Sequence, residues 1–127
     1  MNKKDPKLVV LQFNECINKR DFAGLSTLMT EDYVFIDSSD ENHIGKESMV
    51  KGWAQFFQDY PDYHNHFTMI ESRDELVLVL GYSTCSFNLL DGAATWTALM
   101  EADRVAEWRV CLDTPETREK LNLSPIM

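Results

Sequence analysis

An α+β fold is predicted for this chain: a cone-shaped cup in which a curved, mostly antiparallel β-sheet wraps around three helices from the N-terminal half. Apolar residues recur at helical spacing in three segments before Pro61, and β-branched and aromatic stretches dominate after it. The resulting order, α-α-β-α-β-β-β-β, segregates the helices from the sheet instead of alternating them through parallel strands. A length of 127 residues with 44% hydrophobic composition is enough to close one core, so residues 1–127 are read as a single domain.

Each element has a local cause. Asp5-Pro6 places an oxygen cap before a first-turn proline, and Val9, Val10, Phe13 and Ile17 follow at helical spacing, which predicts a helix from Pro6 to Lys19. Asp21 caps a short second helix with Phe22, Leu25, Leu28 and Met29 as its inner stripe. A strand from Asp32 to Asp37 places Tyr33, Phe35 and Asp37 on one face. Ser38 to Asn42 read as a polar loop. Gly45 precedes a third helix carrying Met49, Trp53, Phe56 and Phe57, which Pro61 ends. An antiparallel meander then runs through Asp62 to Ile70, Glu75 to Phe87, Ala94 to Glu101 and Val105 to Leu112. Thr114-Pro115-Glu116 starts a last helical turn, and the tail after Leu123 is expected to fray.

The net charge of -9 repels a phosphate backbone and an anionic membrane surface, so neither nucleic acid nor membrane is an expected partner. Lys3, Lys4 and Lys7 lack an accompanying stacking platform and read as solvated surface. Cys16, Cys85 and Cys111 show no short ligand spacing and are expected as reduced, buried thiols. With no apolar leader and no membrane-length apolar run, a cytoplasmic location is expected.

Val9 to Phe13, Leu28 to Asp37, Gly45-Lys46-Glu47, Phe57 to Asp62 and Trp108 to Asp113, in this order and spacing, resemble the nuclear-transport-factor-2-like superfamily. The branches concerned are the SnoaL-like polyketide cyclases and the ketosteroid isomerases. The resemblance covers nearly the whole chain and implies a cystatin-like α+β roll around a pocket for a small apolar molecule. It also implies a homodimer joined through the outer face of the sheet, where strand parity places Glu107 and Arg109 beside His64, His66 and Cys85. In ketosteroid isomerase an aspartate moves the proton while a tyrosine and a protonated aspartic acid hold the enolate oxygen. Alignment puts Asp37 at the base, Phe13 in place of the tyrosine and Trp96 near the second acid, so only an indole N–H is left as an enolate donor. Each missing donor removes about 2.7 to 4 kcal/mol of transition-state stabilisation, which argues against a true ketosteroid isomerase.

Asp37 is therefore the candidate catalytic residue. On the face of Tyr33 and Phe35 its carboxyl would be partly desolvated and its pKa raised, whereas an aspartate that caps the following loop would be lowered. Phe13, Tyr33, Phe35, Trp53, Phe67, Tyr82, Trp96 and Trp108 are the candidate ligand-binding residues. Tyr82 is assigned to the interior with Leu78, Leu80 and Thr84, either orienting a ligand or serving as a core tyrosine. Tyr63, Asn65, Phe67 and Met69 are read as facing inward, which turns His64 and His66 outward. That HxH pair has no further ligand, so no metal and no cofactor are expected. His43 is placed near Asp37 at the pocket mouth. The reading is a small-molecule pocket protein, either a cofactor-free acid–base enzyme of isomerase, cyclase or dehydratase type acting on a largely apolar carbonyl or polycyclic compound, or a noncatalytic binding or sensory domain. Whether the chain is an enzyme at all is left open by the sequence.

Overall fold

The computed structural model describes residues 5–37, 41–87 and 91–121. Helix α1 spans Pro6–Lys19, α2 Phe22–Thr27, α3 Lys46–Asp59 and α4 Pro115–Lys120; the strands are β1 Met29–Ile36, β2 Asn42–Ile44, β3 His64–Arg73, β4 Leu76–Thr84, β5 Gly92–Glu101 and β6 Arg104–Leu112. They form one curved mixed sheet in the order β2-β1-β6-β5-β4-β3. The β3-β4-β5-β6 meander is antiparallel, as expected, while β1 runs parallel to β6 and pairs antiparallel with β2. The expected fraying after Leu123 lies outside the described residues.

Local chemistry sets the helix boundaries. Asp5 accepts the Lys7 N–H, Asp21 accepts the Gly24 N–H and Thr114 accepts the Thr117 N–H, each satisfying a donor that the first helical turn leaves unpaired. Gly45 has no capping side chain. Its φ of 104° lies where L-residues are strained, and it turns the chain from β2 into α3 while its N–H donates to the Tyr33 carbonyl. Arg20 closes α1 in the left-handed region. Its guanidinium donates to the carbonyls of Ile17, Asn18, Pro61 and Tyr63 and lies 3.8 Å from the Phe57 ring centroid, tying the end of α1 to the start of β3.

The core lies between α1, α3 and the concave face of the sheet. Phe13, Tyr33, Trp96 and Trp108 are fully buried there, with Phe13 and Trp108 ring centroids 4.8 Å apart. No helix among the described residues is long and apolar enough to cross a membrane.

Five expectations are corrected. β1 begins at Met29, because Met29 and Thr30 are already buried beside β6, and β2 occupies the end of the stretch expected to be a loop. In β4, Val77 and Val79 face the core while Tyr82 is 42% exposed on the outer face, stacked on His66 at 4.6 Å. Leu76 to Leu80 are apolar on both faces, so alternation carried no parity there. Gly81 allows the close approach of β3 here: a Cβ at that position would collide with the His66 carbonyl oxygen where β3 bulges. That bulge, between Phe67 and Met69, moves the inward position from Met69 to Ile70. Cys85, which strand parity placed on the outer face, packs into the core as the buried thiol its spacing predicted, with its N–H donating to Asp91 and its thiol 3.5 Å from Asp62. His64 and His66 do face outward, and Cys16 and Cys111 are half-buried free thiols.

Candidate functional site

Between α3 and the sheet lies a cavity of about 420 Å³, large enough for a small organic molecule. Of the candidate residues, Phe35, Asp37, Trp53, Trp96 and Trp108 line it. Phe13 and Tyr33 lie behind that lining in the solid core, and Phe67 stands behind Trp96 at 5.1 Å between ring centroids. Tyr82 is on the other side of the sheet. Met49, Phe56, Tyr63, Asn65 and Val110, which the sequence did not single out as site residues, complete much of the wall. Helical spacing brings Met49, Trp53 and Phe56 there, each a turn from the last.

Besides Ser48 of α3, polar groups cluster at two places on this largely aromatic wall. One is the hairpin of β1 and β2. The Asp37 N–H donates to the Glu41 carbonyl, and Asp37 Oδ1 accepts the Glu41 N–H at 3.1 Å. Asp37 Oδ2 lies 3.1 Å from His43 Nε2, with the His43 ring 5.6 Å from Phe35. The side chains of Asp37 and His43 are 30% and 43% exposed. The carboxyl is partly exposed: β1 ends at Ile36, and Asp37 both caps the turn and reaches the cavity. A neutral His43 that donates from Nε2 to Asp37 keeps Nδ1 as a proton acceptor. The pair can thus hold a proton between solvent and cavity.

The second polar place is on β3 and β4. Ser83 Oγ donates to Asn65 Oδ1 at 2.9 Å, and the Tyr63 hydroxyl lies 3.1 Å from the same Oγ. Asn18 of α1 clamps the outer edge of β3 here, its Nδ2 donating to the Asn65 carbonyl and its Oδ1 accepting the Asn65 N–H, both at 2.9 Å. Burial pushes the Tyr63 phenol up from its ordinary pKa, with the Ser83 bond acting the other way, so it stays a protonated donor near neutrality. Tyr33, wholly buried, is pushed well up by desolvation. The indole N–H groups of Trp53, Trp96 and Trp108 are buried without a partner among the described residues, so the indole donor left to Trp96 by the sequence alignment is shielded.

Where no metal was expected, Asp37, Glu41 and His43 bring one ligand atom each to within 4.8 Å of one another. This group could hold a divalent cation at the cavity mouth, although Asp37 is already engaged with both of its neighbours.

The SnoaL-like domain family model matches residues 10–111. No curated protein matches the sequence. Solved structures share the fold at low identity. A Sinorhizobium meliloti protein described as a polyketide cyclase has a TM-score of 0.74 at 17% identity, covering 80% of this chain and 92% of its own. An NTF2-like protein of unknown function from Cytophaga hutchinsonii has a TM-score of 0.71 at 14% identity, covering 95% and 97%. An LEH-like epoxide hydrolase from M. tuberculosis has a TM-score of 0.73 at 13% identity, covering 85% and 82%.

Proposed function

The chain belongs to the SnoaL-like domain family, and on that premise we propose that it is a cofactor-free acid–base catalyst acting on a small, largely apolar carbonyl or polycyclic compound. The observation that carries the proposal is the Asp37–His43 pair, 3.1 Å apart, on the wall of a cavity otherwise dominated by rings. The aromatic surface favours an apolar body, and the pair is the group on that wall suited to take a proton from a carbon beside a carbonyl and return it elsewhere. Isomerisation, cyclisation and dehydration all begin with such a transfer.

Proton abstraction can be tested without the natural substrate. 2,6-Diacetylnaphthalene carries an acetyl group at each end, and exchange of its methyl protons in D₂O is followed by NMR. The protein is expected to accelerate exchange, and Asp37→Asn to lower that acceleration by roughly a hundredfold, a typical loss for a missing general base. Exchange equally fast with the variant would remove the catalytic reading.

One observation favours the noncatalytic alternative: Asp37 also accepts the Glu41 N–H, a turn-capping role sufficient to place an aspartate at this position. In that case ligands would bind without dependence on Asp37.

A further inference from the structure

The direction of the buried hydrogen-bond chain on the inner wall can be worked out. Ser83 Oγ is the acceptor within reach of the Tyr63 hydroxyl among the described residues, so the Tyr63 proton is directed there. The Ser83 proton is then directed to Asn65 Oδ1. The amide orientation follows: Oδ1 faces Ser83, and Nδ2 is the end left over. Asn65 is 3% exposed and lines the cavity, and its side chain also bonds the Tyr63 hydroxyl; an amide nitrogen carries two protons, so one Nδ2 proton is left for the cavity's occupant. The Asn18 clamp fixes the backbone that carries it.

The geometry points to Asn65 as a ligand-anchoring residue whose Nδ2 donates a hydrogen bond to a carbonyl oxygen of the cavity's occupant. An uncharged oxygen fits better than a carboxylate, because no Lys or Arg lines the cavity and Asp37 adds a negative charge at its mouth. A donor left unpaired in an apolar site discriminates against molecules that lack the matching acceptor. The inference rests on the cavity taking a small apolar molecule and is independent of whether Asp37 is catalytic.

The test compares two probes of similar shape, 2-acetylnaphthalene and 2-isopropylnaphthalene, by quenching of tryptophan fluorescence. The wild-type protein should bind the ketone about tenfold more tightly, the size of effect one hydrogen bond supplies. Asn65→Leu should abolish that preference while still binding the hydrocarbon. The infrared carbonyl stretch of ¹³C-labelled ketone should lie at lower frequency in the wild type than in the variant, which loss of packing alone would not produce. Should Asn65→Leu fail to fold, Ser83→Ala serves instead: it keeps the amide but frees it to turn, and should weaken both the preference and the shift. Equal binding of the two probes by the wild type, or a preference unchanged in the variants, overturns this assignment and leaves the proton-transfer proposal standing. Binding of neither probe removes both.

Discussion

The two polar places on the cavity wall are built in opposite ways. The Asp37–His43 pair joins the residue after β1 to a three-residue strand whose residues are all exposed, held by contacts within one hairpin and open to solvent. The Tyr63–Ser83–Asn65 chain is buried, spans two strands and is clamped by α1. A group that must gain and lose protons benefits from water nearby, whereas one that fixes a ligand's orientation benefits from being unable to move. The difference assigns exchange to the mouth and positioning to the inner wall.

Mutations separate the two places by their effects on stability. The largest stability effect should come from the tryptophans behind both places: Trp108→Ala removes a fully buried ring and should destabilise by about 3 to 5 kcal/mol in urea denaturation. Ser83→Ala, by stranding the Tyr63 hydroxyl and the Asn65 oxygen, should destabilise by about 1 to 3 kcal/mol. Asp37→Asn should change stability by less than about 1 kcal/mol, because its partner is exposed and the pair is hydrated. A stability loss for Asp37→Asn as large as that for Ser83→Ala would mean that the mouth is structural. Tyr82→Ala, on the outer face, should change monomer stability least, by no more than about 1 kcal/mol. That face, with Tyr82 and Leu99 both 42% exposed, is also where pairing of two copies is proposed, and sedimentation near twice 14.7 kDa is the expected result. A monomer at tens of micromolar would exclude it.

The helices were readable in the sequence because their signals are local: Asp5-Pro6, Asp21 and Thr114-Pro115 cap within three residues of themselves. β2 was not, since three exposed residues carry no alternation. Tyr82 was assigned to the wrong face because its strand is apolar on both sides, and Met69 because a bulge resets parity without a sequence mark. Asp37 and Trp53 could be placed near one another from strand and helix periodicity. The role of Asn65 could not: its partners lie 18 and 47 residues away, and an asparagine between two histidines gives no sign that its amide is held by a serine on the next strand.

The most direct test is a crystal structure of the protein with 2,6-diacetylnaphthalene. One carbonyl oxygen is expected within hydrogen-bonding distance of Asn65 Nδ2, about 2.7 to 3.2 Å, with the amide oxygen still on Ser83 and the other acetyl group against Asp37 and His43. A ligand bound outside the cavity, or one that turns the Asn65 amide away from Ser83, would contradict the account.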